Sequence, residues 1–253
     1  MNAVERQKKI EDYVNVHNEA DFSHIRNLFP DVSEMTIRRD MEFLSKNNRI
    51  IRVLGGAKSV SYLVRSSEDA FMQRSTSHEA EKQLIARKAL QLIEPGSTIF
   101  LGSGSTANEL ARIFPDGNYT IVTTGMNCAI ELSSLSMASV LMLGGAVNKN
   151  SFCVNGSLAT SMLETMSFDL AFLGVSGYAP GHGFCTSVVE DYVLRQRIIS
   201  QSDTTAILMD SSKVGRKSIY TFAGTGDVEY VISDENLDPE TITELTTAGI
   251  TVL

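Results

Sequence analysis

The sequence predicts an α/β protein in two parts: a small N-terminal head of three helices and a hairpin, and a larger body in which helices cover a mainly parallel sheet. Three observations lead there. Apolar residues recur at helical spacing through residues 4–46, and a short ribbon with a Gly-Gly turn follows. From residue 79 to the end, short apolar runs alternate with amphipathic stretches. Between these regions, residues 59–78 are serine-rich and weakly patterned, which reads as a linker with a short ordered piece around Tyr62 to Val64. The expected boundaries are 1–58 for the head, 59–78 for the linker and 79–253 for the body.

In the head, residues 4–17 place Val4, Ile10, Tyr13 and Val14 near one helical face. Asp21 stands where a cap is needed for a short helix ending before Pro30. Ser33 stands likewise before a third helix that runs to about Lys46, with Asn47-Asn48 as its stop. At about 100° per residue, Ile37, Met41 and Leu44 share one stripe, while Arg39 and Met35 fall opposite it, with Thr36 and Arg38 on the flanks. The exposed face therefore carries donors near a helix N-terminus, the part of a recognition helix that meets base edges and phosphates in a major groove. After it, residues 49–53 and Gly55-Gly56 read as a small β-wing carrying Arg49 and Arg52. The set expected to meet DNA is Ser33, Met35, Thr36, Arg38, Arg39, Lys46, Arg49 and Arg52. The alternative for Arg39 is a local ion pair with Glu34, Asp40 or Glu42 on a solvated face.

Charge is unevenly divided. Residues 1–60 hold ten Lys and Arg against nine Asp and Glu; the rest hold twelve against twenty-one, for a net charge of −8. A local cluster of basic groups on an otherwise acidic protein suits a polyanion partner for the head alone. Cys128, Cys153 and Cys185 are odd in number, widely spaced and include no CxxC pair. A disulfide framework or a zinc site is therefore not expected, and the sequence leads us to expect no cofactor. With no apolar run long enough to span a bilayer and no signal core at the N-terminus, a cytoplasmic protein without membrane partners is the expectation.

In the body, an amphipathic helix over residues 79–93 stops at Pro95-Gly96. Strands are expected at 97–102, 120–125, 139–145, 169–177, 204–210, 228–234 and 250–253, with helices between them. In such a sheet, ligands sit beyond the carboxyl ends of the strands. The chemistry there concentrates on Gly102-Ser103-Gly104-Ser105-Thr106. Its glycines let the backbone approach a ligand, its hydroxyls donate, and the following helix aims free N–H groups at an anion. No Lys follows the second glycine, so this is neither a Walker loop nor a GxGxxG turn. Thr123, Thr124 and Gly174 stand at the ends of other expected strands. Lys213 is either the cation for a phosphate or a surface lysine in a polar loop. Glu190 either accepts from sugar hydroxyls or is a first-turn residue favoured by the helix dipole.

The string VSEMTIRRDMEFLSKNNRIIRVLGGA resembles the winged helix-turn-helix signature of the DeoR family of bacterial transcriptional regulators, departing from it at Leu54, where the family often has a polar residue. LGSGSTANEL resembles the phosphate loop of ribose-5-phosphate isomerase, whose fold the effector domains of that family share. The resemblance implies a DNA-binding regulator of a sugar or polyol operon, acting as a repressor on operator DNA. It further implies a phosphorylated sugar as effector, held at Gly102, Ser103, Gly104, Ser105, Thr106, Thr123, Thr124, Gly174, Glu190 and Lys213, and paired operator half-sites lead us to expect a homodimer or homotetramer. The alternative is a sugar-phosphate isomerase-like enzyme with an accessory head. Against it, the isomerases carry two acidic residues where this chain has Leu173-Gly174-Val175-Ser176, and general acid–base work needs titratable groups there.

Overall fold

A computed structural model of the chain describes residues 2–17, 19–47, 49–53, 55–59 and 74–253. Residues Leu54 and Tyr62 to Val64, and with them most of the expected linker, lie outside the described residues. The chain divides into two units, Met1–Ala70 and Phe71–Leu253. Among the described residues, no helix is long and apolar enough to cross a membrane.

The smaller unit runs α1 (Ala3–His17), β1 (Glu19–Asp21), α2 (Phe22–Asn27), α3 (Glu34–Lys46), β2 (Ile50–Val53) and β3 (Gly56–Ser59). Its strands form an antiparallel sheet in the order β1-β3-β2. Strand β1 was not expected: three residues directly after a helix leave no room for an alternating pattern. Its close pairing with the wing explains Gly56, where a Cβ would lie 2.2 Å from the Ala20 carbonyl oxygen. Ile10, Val14, Ile25, Ile37, Met41, Leu44 and Ile50 make the core. Val4 does not join them and is 73% exposed. Ser33 caps α3 through its hydroxyl, which accepts from the Thr36 N–H at 3.3 Å. Asp21 occupies the cap position of α2, but its side chain makes no cap hydrogen bond.

The core of this unit also holds an ion pair. Asp40, on the buried side of α3 beside Ile37 and Met41, accepts from Arg6 Nε and from Gln7 Nε2 at 2.9 Å, both on α1. Arg6 and Asp40 are each less than one-tenth exposed.

The larger unit begins with α4 (Glu79–Ala89). It continues β4 (Thr98–Leu101), α5 (Ser105–Arg112), β5 (Thr120–Thr123), α6 (Met126–Leu132), β6 (Ser139–Met142), β7 (Ala146–Asn148), β8 (Cys153–Asn155) and α7 (Ser157–Leu163). Then come β9 (Leu170–Gly174), β10 (Gly177–Ala179), β11 (Gly183–Thr186), α8 (Val189–Ser200), β12 (Thr205–Leu208), β13 (Tyr220–Ala223), β14 (Tyr230–Ile232), α9 (Pro239–Thr247) and β15 (Thr251–Val252). Seven strands form one parallel sheet in the order β15-β14-β12-β9-β4-β5-β6. All seven are the expected strands.

Alternating residues of each strand feed two cores, one on each face of the sheet. Ile99, Leu101, Phe172 and Leu208 pack with Ile85, Leu110 and Leu132. Phe100, Leu173 and Ile207 pack with Leu163, Ile198 and Leu245 on the other side. The additions to this scheme are a β7–β8 hairpin and a three-stranded antiparallel sheet, β10-β11-β13.

Replacing Asp40 with Ala strands the Arg6 guanidinium in the core of the smaller unit, and should destabilise that unit by about 3 kcal/mol. Urea unfolding followed by circular dichroism will read this loss, and Glu42→Ala, which breaks only an exposed pair, should leave the midpoint where it is.

Candidate functional site

Two surfaces carry the functional chemistry, one on each unit. On α3, Met35, Arg38 and Arg39 are exposed, while Ile37, Met41 and Leu44 are buried, the division expected from helical spacing. The carboxylates that could have neutralised Arg39 are held elsewhere: Glu34 pairs with Arg26 at 2.9 Å, Glu42 with Lys46 at 2.9 Å, and Asp40 with Arg6. The Arg38 guanidinium lies over the Phe22 ring, 4.1 Å from its centroid. That contact steadies a long side chain while leaving it exposed. The Ser33 and Thr36 hydroxyls are 2.9 Å apart and engage each other at the cap.

The wing departs from expectation. Arg49 is not a free phosphate contact, because its guanidinium forks onto both carboxylate oxygens of Glu11 on α1, Nε to Oε1 at 3.0 Å. That hydrogen bonding also raises its pKa above the usual arginine value. Arg49 thus ties the start of the wing to α1, and the exposed Arg52 on β2 is the wing cation that remains outward. Lys46 remains 75% exposed while sharing the Glu42 carboxylate.

In the larger unit, the chain passes from β4 to β5 on one side of the sheet and returns to β9 on the other, so the order switches between β4 and β9. A crevice opens beyond strand ends at such a point. Here it is a cavity of about 470 Å³, lined by Ser103, Gly104, Ser105 and Thr106 from the β4–α5 loop, Gly174, Val175 and Ser176 after β9, and Asp210 and Lys213 after β12. Gly104 is the N-cap of α5 at φ +118°, a conformation that favours glycine, and a Cβ there would meet nothing within 4 Å. The Asn108 N–H bonds to the Gly104 carbonyl oxygen at 2.9 Å. The three N–H groups before it, from Ser105 to Ala107, therefore have no intrahelical acceptor. The Lys213 ammonium lies 3.9 Å from the buried Asp210 carboxylate.

Four of the expected residues do other work. The Gly102 N–H donates to the Phe172 carbonyl at 2.9 Å, and its own carbonyl accepts from the Cys128 thiol at 3.6 Å. A Cβ at Gly102 would sit 3.0 Å from the Phe172 oxygen, so this glycine sets the approach of β4 to β9 and does not face the cavity. The Thr123 hydroxyl accepts from the Gly125 N–H at 3.0 Å, and the Thr124 carbonyl accepts from the Val154 N–H at 2.8 Å. Both threonines are buried; Thr123 closes the turn after β5, and Thr124 fastens β8 alongside it. Glu190 is exposed on the far side of the first turn of α8, beside Gly156, Thr160 and Val193. Its neighbour Asp191 lines the cavity instead, where Asn155 Nδ2 donates to it at 3.2 Å.

The cavity also holds cations that sequence reasoning did not find: Arg74, Lys82, Arg195 and Arg216. Arg195 donates to the Gly174 carbonyl and stacks on Phe222, 4.9 Å from the ring centroid. Burial lowers its pKa and that of Lys82. Each comes from an element remote in sequence from the glycine loop, and local spacing carries no signal of such convergence. The thiols near the loop are inert by the same physics: burial pushes Cys128 up to about 12 and raises Cys153.

Residues 6–62 match the model of the DeoR-like helix-turn-helix domain, and residues 77–235 match that of the DeoR C terminal sensor domain. The chain is 36% identical to the uncharacterized HTH-type transcriptional regulator YulB of Bacillus subtilis, over 97% of this chain and 94% of that one. It is 31% identical to a putative aga operon transcriptional repressor of Escherichia coli O157:H7, over 88% and 83%. It is also 31% identical to the lactose phosphotransferase system repressor of Staphylococcus epidermidis, over 81% and 82%. Among solved structures, ribose 5-phosphate isomerase A from Methanocaldococcus jannaschii matches over 56% of each chain, at 19% identity and a TM-score of 0.41.

The native chain at pH 8 should react with a thiol-specific chromogenic disulfide much more slowly than the unfolded chain, which exposes all three cysteines; parity of the two rates would contradict the burial described.

Proposed function

The chain belongs to the DeoR family of transcriptional regulators, and we propose that it represses a sugar- or polyol-utilisation operon until a phosphorylated sugar occupies the cavity of its larger unit. The single observation that carries the effector reading is the convergence of Gly104, the first N–H groups of α5, which lack intrahelical acceptors, and Lys213 on one cavity at a topological switch point. A phosphate dianion satisfies the helix donors, the dipole and the ammonium together. Ser103, Ser105 and Thr106 supply hydroxyls around it, Ser176 and Asp191 stand ready for sugar hydroxyls, and Gly174 closes the wall. Glu190 is not part of this set.

The relatives' names point the same way for function. One is named for an aga operon and another for a lactose phosphotransferase system, and both are called repressors. Operator DNA is taken by the exposed face of α3, with Arg38 and Arg39 as its cations and Ser33, Met35, Thr36 and Lys46 around them. Arg52 extends this face along the wing. Two-fold operators and paired recognition helices suit a homodimer or homotetramer. An isomerase reading lacks its chemistry, since Leu173 is a buried aliphatic side chain and Ser176 bears no carboxylate.

Arg39→Ala combined with Arg38→Ala should abolish specific binding to DNA from upstream of the chain's own gene, with the melting temperature falling only slightly from the lost Phe22 contact. A gel-shift titration with unchanged affinity would overturn the assignment, and wild-type affinity should drop steeply between low and moderate salt as counterions are released.

For the cavity, a thermal-shift panel of phosphorylated and unphosphorylated sugars should give a stabilising hit only among the phosphates. Gly104→Asp, which places a carboxylate in the cradle, should keep DNA affinity and lose that stabilisation. An unphosphorylated sugar binding wild type as tightly as its phosphate would rule the cradle out.

A further inference from the structure

Lys82 stands out among the cavity cations because it is buried, where Arg195 and Lys213 are half-buried and Arg74 and Arg216 exposed. It lies on α4, is 3% exposed, and forms no ion pair among the described residues. Its ammonium donates instead to two main-chain carbonyls, those of Arg74 and Ser77, and it lines the cavity together with the glycine loop. Arg74 lines the same cavity and donates from Nη2 to the Asn150 carbonyl at 2.7 Å. Residues 74–77 thus form a short strap that reaches the cavity at Arg74, tied there to the β7–β8 loop and held by Lys82 at the Arg74 and Ser77 carbonyls.

The strap joins α4 through a strained turn. His78, the N-cap of α4, has φ +54° and ψ +41°, a left-handed conformation that a residue with a Cβ adopts at a cost. The Lys82 side chain spans this turn and closes it from the inside. In the other direction the chain leads from Arg74 through residues 60–73 to the DNA-binding head.

We propose that Lys82 is a relay: an anion in the cavity draws its ammonium away from the Arg74 and Ser77 carbonyls, and the strap, released at His78, carries the occupancy of the cavity into the segment that leads to the head. The proposal rests on the reading of the cavity as an anion site. A dianion is a much stronger acceptor for an ammonium than two neutral carbonyls, since hydrogen bonds between charged partners are roughly twice as strong. The exchange leaves little unsatisfied, because Arg74 and Ser77 are exposed and water can take their carbonyls. Arg74 shifts the same way, since its hold on the β7–β8 loop is also a cation on a neutral oxygen. Burial already lowers the pKa of Lys82, with Asp210 only partly opposing it, so the ammonium gains from a closer negative partner.

Hydrogen–deuterium exchange on the full chain tests this, with inorganic phosphate as the probe at tens of millimolar and sodium chloride at matched ionic strength as the control. Phosphate should slow exchange in residues 103–107 and speed it by about fivefold in residues 74–77, as a local opening would. In Lys82→Met, which keeps the apolar stem, residues 74–77 should exchange fast without phosphate and show no further response. Protection at 103–107 with exchange at 74–77 unchanged or slowed overturns the relay and leaves the anion site standing. No protection at 103–107 overturns both.

Discussion

The larger unit depends on one close approach, that of the end of β4 to β9 where the Gly102 N–H meets the Phe172 carbonyl at 2.9 Å. This hydrogen bond continues the parallel pairing one step past the last strand residue. It lets the chain leave the sheet directly beside Gly174 rather than splaying away from it. A side chain at Gly102 would force the two backbones apart, since its Cβ would lie 3.0 Å from that oxygen. From this fixed departure the following three residues reach the start of α5 with its N–H groups aimed across the ends of β9 and β12. The first glycine of the loop sets the geometry and the second, Gly104, leaves the space.

What could be read from sequence were features of short range. The seven parallel strands are apolar runs bounded by turns, and their helices keep a regular period between them. The buried stripe of α3 follows from spacing alone. What could not be read depends on partners distant along the chain. Asp40 looks like one more surface carboxylate until Arg6, from α1, is placed against it in the core. Arg49 looks like a wing cation until Glu11 occupies its fork. Neighbouring carboxylates at the start of α8 show the limit most plainly: one residue is about 100° of helix rotation, enough to send Glu190 outward and Asp191 inward. The accessory strands are three or four residues long and too brief to show a period. Lys82 and Arg74 join the glycine loop only through tertiary packing.

The two units handle charge in opposite ways. In the smaller one, carboxylates pair with Arg6, Arg26, Lys46, Arg49 and Lys58, and the exposed Arg39 is left over at one place because each acid around it already has a partner. In the larger and more acidic unit, Arg74, Lys82, Arg195, Lys213 and Arg216 gather around a cavity whose lining holds only Asp191 and Asp210 as acids. Long-range attraction therefore brings little anion to the cavity, and capture depends on contact.

The cavity has a floor and walls of different origin. The floor is the start of α5, anchored by the parallel sheet and by the core on one of its faces. The walls come from outside that sheet: Asn148, Asn150 and Ser151 from the β7–β8 hairpin, and Thr186 and Ser187 from the end of β11. Asn148, Asn150 and Ser151 of the hairpin belong to neither core, so their side chains can be exchanged with small effect on the rest of the fold. A lineage built on this plan can retune which molecule it senses by rewriting a few wall residues, while the anchoring end of the site and the DNA-reading unit stay as they are.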